Sequence, residues 1–334
     1  MVITRTPFRI SFFGGGTDLP DWYRGNGGGV LSTTIDKYLY ITLRKMPPFW
    51  EFRNRFVYGS RSEILDDIDD IEHPSIRETL RFKHMTAGVD MHYNTDIPAR
   101  SGIGSSSSFT VGFLKGLYSL EGKMVSPERL ASEAIHIEQN LIREAVGSQD
   151  QIAAAYGGLN HIVFKTDGAF EISPMTLPVQ RVKELNDHLV LVFTGLQRSA
   201  AEIEAEKIKQ IGRHTGELKE IARYVDEAIE ILNTGTDIAE FGALLHETWM
   251  KKKQLSEQVS NEEMDQTYGI AREAGAIGGK LLGAGGGGFF LFFVRPEDRA
   301  GLIRRLSFLT QVPFKFEATG SQVIYYQGED YNGG

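Results

Sequence analysis

The 334-residue sequence contains no cysteine. Disulfides, thiolate metal sites and a cysteine nucleophile are therefore excluded. It has no run of about 18 apolar residues, the length a membrane-crossing helix needs, so no membrane partner is expected. Met1 to Phe13 carries Arg5 and Arg9 between apolar positions instead of an apolar signal region, which makes a cytoplasmic protein the expectation. An excess of positive charge is missing too, since 36 Lys and Arg against 44 Asp and Glu leave a net charge of −8. Nucleic-acid backbones are normally met by a basic face, so no nucleic-acid partner is expected. A phosphorylated small molecule needs only a local patch. There is no G-x-x-x-x-G-K-[ST], hence no P-loop, and neither H-R-D nor D-F-G of the protein kinases.

What the chain does have is glycine, 37 residues of it, much of it clustered. The stretch Pro98 to Phe109 lies between a strand-like segment, Val89 to Ile97, and a helix-like one, Phe109 to Leu120. A glycine turn opening a helix gathers unpaired N–H groups and the positive end of the helix dipole, which suits an anion, usually phosphate. The serine hydroxyls add donors, and one can serve as a Mg²⁺ ligand. A flexible Gly/Ser linker would not run straight into an apolar helix.

Length and the ordinary 41% hydrophobic and 24% charged content suggest a soluble chain of two domains. Met1 to Phe13 reads as a strand ending in the tight turn Gly14-Gly15-Gly16-Thr17-Asp18, where Asp18 is either a sugar-hydroxyl acceptor or a turn residue. Gly25 to Gly29 precedes a long strand, Val30 to Met46, pairing antiparallel with the first. The acidic run Asp66 to Glu72 is expected to be a solvated face. Helices are expected over Phe109 to Leu120 and Pro127 to Ala145, the second with Glu138 in a mixed setting. A short helix, Gln151 to Tyr156, follows a polar turn that presents Asp150. His136 and His161 read as isolated core or surface residues. Short strands fill Gly157 to Pro178, and a new unit starts at His188 with a strand ending at Gly195. Helical periodicity then runs from Ala200 to Ala274, with breaks near 212–216 and 233–237 and with Lys251 to Lys253 as an exposed face. Gly283, Gly285 and Gly288 satisfy G-x-G-x-x-G, but Phe289 to Val294 reads as a buried strand where a dinucleotide site needs a helix. A helix from Pro296 and two strands ending near Gln327 close the chain.

Three of these stretches, in this order, resemble the motifs of the GHMP kinases. They are Thr6-Pro7-Phe8-Arg9-Ile10 through Gly16-Thr17-Asp18, Pro98 through Gly102-Ile103-Gly104-Ser105-Ser106-Ser107, and Leu282-Gly283-Ala284-Gly285-Gly286-Gly287. Within the family, Gly-Gly-Gly-Thr-Asp, Gly147 to Gln151 and Thr194 to Ser199 look most like the D-glycero-D-manno-heptose 7-phosphate kinases, which phosphorylate an anomeric hydroxyl. Galactokinases carry Glu-His where this chain has Gly15-Gly16, and fucose or another C1-phosphorylated sugar stays open. The resemblance implies an α+β fold. Residues 1–182 would form a ribosomal-S5-domain-2-like ATP-binding domain and residues 183–334 a ferredoxin-like domain, with the active site between them.

The resemblance also implies roles. ATP phosphates would lie on the backbone of Gly102, Ile103, Gly104, Ser105, Ser106, Ser107 and Ser108. Ser106 and Glu138 would hold Mg²⁺. Asp150 would be the general base beside Arg9, and Asp18, with Gly16 and Thr17, would bind sugar hydroxyls. Arg198 would bind a substrate phosphate or be a surface residue. Gly283, Gly285, Gly286 and Gly287 would support the phosphate site through their backbone. Expected partners are ATP and a small sugar or sugar phosphate, with a homodimer left open. Two rival classes are a non-catalytic binding module and a dinucleotide oxidoreductase; the set Arg9, Ser106, Glu138 and Asp150 argues against the first, and the missing strand–helix context against the second.

Overall fold

The computed structural model describes residues 1–99, 101–195 and 200–328. It is built on β1 (Val2–Phe13), whose Phe8, Ile10, Phe12 and Phe13 are all fully buried. β1 runs antiparallel to β2 (Gly28–Lys45), with Val2 opposite Leu43 and Phe13 opposite Leu31. Between them α1 (Pro20–Asn26) starts on a proline, whose missing N–H costs nothing in a first turn. β3 (Asn54–Tyr58), β4 (Arg61–Leu65), α2 (Pro74–Phe82) and β5 (Val89–Thr95) follow. Then come α3 (Ser105–Leu120), α4 (Pro127–His136), α5 (Gln149–Tyr156), β6 (Leu159–Phe164) and β7 (Phe170–Pro174). The second half contains α6 (Val179–Asp187), β8 (Leu189–Phe193), α7 (Ala200–Gln210), α8 (Thr215–Thr234), α9 (Ala239–Gln254) and α10 (Glu262–Glu273). It ends with β9 (Ala276–Leu281), β10 (Phe289–Val294), α11 (Arg299–Arg305), β11 (Thr310–Gln311), β12 (Phe316–Glu317) and β13 (Gln322–Tyr326).

Among the described residues the strands form two sheets. One is nine-stranded, ordered β13-β1-β2-β5-β3-β4, with β6 and β12 also on β2 and β7 beyond β6. The other is four-stranded, ordered β11-β8-β10-β9. β10 is apolar at every position and buried at every position, because helices such as α9 cover its sheet. Phe241 of α9 joins the two halves. Its ring lies 5.5 Å from Phe12, 5.0 Å from Phe13 and 6.0 Å from Phe293. The pairs with Phe12 and Phe13 are edge-to-face, and contacts of that kind add roughly 0.5–1.5 kcal/mol each beyond the area they bury.

Several boundaries differ from the expectations. α3 begins at Ser105, four residues before the first apolar position, because the serines themselves form its first turn. The helix expected over Pro127 to Ala145 stops at His136, continues as a π-helical turn, Ile137–Ile142, and breaks at Arg143, whose φ is 62°. A third break, after Gln254, separates α9 from α10. The last helix starts at Arg299, not Pro296. β12 and β13 return to the first sheet, on β2 and β1, so the C-terminal residues do not stay with the second sheet. The expected division between residues 182 and 183 falls inside α6.

Candidate active site

A cleft of about 380 Å³ opens where the end of β1, the loop before α3, the start of α5 and the β9–β10 loop meet. Its centre is an ion pair between residues 141 apart in sequence. Arg9 Nε donates to Asp150 Oδ1 at 2.7 Å and Nη2 donates to Oδ2 at 2.8 Å. The third guanidinium nitrogen, Nη1, donates to the carbonyl of Gly102 at 2.7 Å. Arg9 is almost wholly buried, whereas the Asp150 side chain is 24% exposed and faces the cleft. Such a two-pronged, charge-assisted pair fixes the carboxylate's plane as well as its place. Asp150 owes its position to the first turn of α5, and Arg9 to a strand that also donates its backbone N–H to Ile103 at 3.1 Å.

The loop that Arg9 grips leads directly into α3. Gly104 occupies the N-cap position in the left-handed region, φ 76°, and has no side chain with which to cap the helix. The first-turn N–H groups of a helix have no intrahelical partner, so this end presents donors and a positive dipole to the cleft. Gly102, Gly104, Ser105, Ser106 and Ser107 line it. Ile103 and Ser108 do not. Ile103 is a core residue, and the N–H and hydroxyl of Ser108 are used on Gly104 and Pro7 at 2.9 and 3.0 Å.

Glu138 sits behind the serine loop, 1% exposed, on the π-helical turn. Its Oε2 accepts from Ser107 Oγ at 2.8 Å and from Gln151 Nε2 at 2.5 Å, while Ser106 stays exposed on the cleft side. Burial pushes the Glu138 carboxyl up to about 7, although hydroxyls of Thr110 and Ser107 pull the other way. Glu138 Oε1 is buried with no hydrogen-bond partner. Carboxylate and hydroxyl oxygens are the donors Mg²⁺ prefers, so Glu138 and the serines suit that ion by chemistry, although Glu138 contacts Ser107, not Ser106, and lies behind the residues that line the cleft.

Asp18 is 3% exposed and lines the cleft. Gly16 N–H donates to its Oδ1 at 2.9 Å and Gln149 N–H approaches Oδ2 at 3.5 Å. Burial raises its carboxyl to about 6, with the charges of Asp150 and Glu204 adding to the rise. Gly16 also lines the cleft, but Thr17 does not. Its hydroxyl is spent on the carbonyls of Gly14 and Gly29 at 2.8 and 2.9 Å. Arg198 lies outside the described residues. Of the third motif, Gly283, Gly285 and Gly287 line the cleft, whereas Gly286 turns away and donates to Val259 at 2.9 Å. Its contact with the serine loop is close. A Cβ at Gly283 would lie 2.5 Å from the Cα of Gly102.

Two lysines to which the sequence reading gave no site role line the cleft. Lys252, expected on an exposed face, is 6% exposed; its ammonium donates to Leu281 O at 3.1 Å and to Gly283 O. Lys280 of β9 is 3% exposed and donates to Phe12 O at 2.7 Å. A signal for Lys252 was present. It falls three and four positions after the buried Trp249 and Thr248, in phase with the core-facing stripe of α9.

The family model for the GHMP kinases N-terminal domain matches residues 75–158, and that for the GHMP kinases C-terminal region matches residues 199–307. The chain is 31% identical to a D-glycero-alpha-D-manno-heptose 7-phosphate kinase of Campylobacter jejuni, covering 91% of this chain and 92% of that protein. It is 26% identical to a bifunctional fucokinase/GDP-fucose pyrophosphorylase of Arabidopsis thaliana over 90% of this chain and 30% of that protein. Its fold matches the crystal structure of a D-glycero-D-manno-heptose 1-phosphate kinase from Bacteriodes thetaiotaomicron with a TM-score of 0.80 at 23% identity, covering 98% of this chain and 100% of the other. With its motifs gathered on one cleft and this coverage at both ends, the chain belongs to the GHMP kinase family and is an ATP-dependent kinase.

Proposed function

We propose that the protein transfers the γ-phosphoryl group of ATP to the anomeric hydroxyl of D-glycero-D-manno-heptose 7-phosphate, giving the 1,7-bisphosphate and ADP. The observation that carries the catalytic part is the grip of buried Arg9 on both oxygens of Asp150 and on the serine loop at once. The likeness to the Campylobacter jejuni enzyme supports the choice of sugar. In this reading the phosphates of ATP lie on the backbone of Gly102 to Ser107 and the start of α3, where donors and dipole favour negative charge. The sugar's C1 oxygen attacks the γ-phosphorus, its bond to the ADP oxygen breaks, and the hydroxyl proton passes to Asp150. Arg9 keeps that carboxylate aimed and adds positive charge near the transferring group. Asp18 accepts hydrogen bonds from sugar hydroxyls. Glu138 and Ser106 would hold Mg²⁺, which supplies charge neutralisation on the phosphate oxygens.

ADP release with Mg-ATP is the test, across heptose 7-phosphate, unphosphorylated heptose, mannose, fucose and galactose. Turnover confined to the 7-phosphate is expected, and Asp150→Asn should lower kcat by about 10²–10⁴. Preference for an unphosphorylated sugar would replace the heptose phosphate with a free-sugar 1-kinase, the reading that the fucokinase relative favours. No turnover on any sugar would overturn the proposal.

A further inference from the structure

Ser148 breaks a local rule at the start of α5. A serine at a helix N-cap usually accepts a hydrogen bond from an N–H of the first turn. Ser148 occupies that position, is 2% exposed, and makes no such bond. Its hydroxyl is taken instead by Gln139, whose Nε2 donates to Ser148 Oγ at 3.0 Å. The same nitrogen donates to the carbonyl of Val146 at 3.0 Å. A carbonyl can only accept, so the end of the Gln139 amide that faces Val146 is its NH₂. A helix cap has been given up for a clamp.

The clamped segment has little structure of its own. Residues 143–148, between the π-helical turn and α5, form no helix or strand, and Arg143 opens them in the left-handed region. The segment is nevertheless fitted closely. A Cβ at Gly147 would lie 1.9 Å from Asp18 Oδ2, and Ser148 N–H donates to Asp18 O at 3.0 Å. Asp150 follows in the first turn of α5, bracketed by Ser148 and Gln151. Both brackets are tied to the π-helical turn, Ser148 to Gln139 at 3.0 Å and Gln151 to Glu138 at 2.5 Å. Gln139 itself does not line the cleft, whereas Val146, Gly147 and Asp150 do.

We propose that Gln139 is a positioning residue for phosphoryl transfer, clamping the Val146–Ser148 segment so that α5 presents Asp150 at a fixed place in the cleft. The proposal rests on the reading of Asp150 as the group that takes the acceptor's proton. It has a specific consequence, that Gln139 matters to the rate only through Asp150. Misplacing a reacting group by about 1 Å can cost about a hundredfold in rate.

The experiment is a double-mutant cycle of Gln139→Met with Asp150→Asn, reading kcat, ATP KM and melting temperature. It uses whichever sugar of the panel the wild type phosphorylates. Methionine keeps the length of the side chain and removes its donors. Gln139→Met alone should lower kcat about tenfold to a hundredfold and leave ATP KM within about twofold. Added to Asp150→Asn it should lower kcat by less than about twofold, because groups that act as a unit are not additive. The same loss in both backgrounds, or wild-type kcat in Gln139→Met, would overturn the positioning role and leave Asp150 as the base. A fall in melting temperature that accounts for the lost activity would overturn it too. Should Gln139→Met not fold, Gln139→Leu enters the same cycle. If Asp150→Asn has no measurable rate, the single variant decides: a kcat loss at constant ATP KM supports the role, and wild-type kcat overturns it. If Asp150→Asn keeps the wild-type rate, the base reading falls and takes this inference with it. Turnover of no sugar would remove both.

Discussion

Asp18 is the residue at which stability and binding pull apart. Burial lifts its carboxyl from the ordinary 3.8 to about 6, so the folded chain holds a proton that the unfolded chain has already released between those values. Native protein then binds more protons than unfolded protein, and stability falls as pH rises through that window. The difference corresponds to about 3 kcal/mol, fully lost above pH 6. Asp18→Asn removes that slope, keeping an oxygen for the Gly16 N–H while carrying no charge. Denaturant midpoints of the two proteins between pH 4.5 and 7.5 should converge at the acid end, with the variant more stable at neutral pH. Parallel profiles would contradict this. Sugar affinity should move the other way, with the wild-type sugar KM rising below about pH 6 and the variant weak throughout. The roles proposed for Arg9, Asp18 and Asp150 could be named from the sequence through the resemblance to the family's motifs, since the residues alone left Asp18 as a turn residue or sugar acceptor and Asp150 open to a reading as a helix cap. The bidentate pairing of Arg9 with Asp150 could not, since residues 141 apart meet only through the fold.

Among the elements, the least legible were those that break a period. The π-helical turn carrying Glu138 widens the helix within a stretch whose Ile135, Ile137, Leu141 and Ile142 fit an ordinary amphipathic helix. Nothing in a 3.6-residue pattern encodes the extra residue in the turn, though such turns are common at functional sites. On α9, reading Lys251 to Lys253 as one charged face hid the odd one out. Lys251 pairs with Glu220 and Lys253 with Asp265, while Lys252 points inward to the loop that carries Gly283. That loop rests on Gly102, whose carbonyl Arg9 holds, so on the proposed reading Lys252 acts as a positioning residue for the phosphate side of the cleft. Lys252→Met keeps the aliphatic stem but leaves the Leu281 and Gly283 carbonyls short of a donor, at a cost of about 1–3 kcal/mol. The expected result is an ATP KM raised about tenfold with sugar KM little changed. A variant with lowered melting temperature and unaltered ATP KM would contradict the positioning role.

The molecule as a whole places the cleft proposed to hold ATP phosphates on a chain of net charge −8. Arg9 from β1, Lys252 from α9 and Lys280 from β9 all line that cleft, beside the carboxylates of Asp18, Glu144, Asp150 and Glu204. Both halves contribute to the cleft, and they share one core through Phe241. The α+β class followed from the resemblance that the three motifs carry, and their order showed that it spans nearly the whole chain. The return of β12 and β13 to the first sheet was not, because short terminal strands carry no mark of which edge they will join. The central claim concerns where the phosphoryl group goes, and the structure of the product tests it most directly. The product of Mg-ATP and heptose 7-phosphate should show, by ¹H–³¹P NMR, a new phosphate ester coupled to the anomeric proton beside the original one at C7. A new phosphate coupled to any other ring proton, or release of inorganic phosphate with the sugar unchanged, would contradict it.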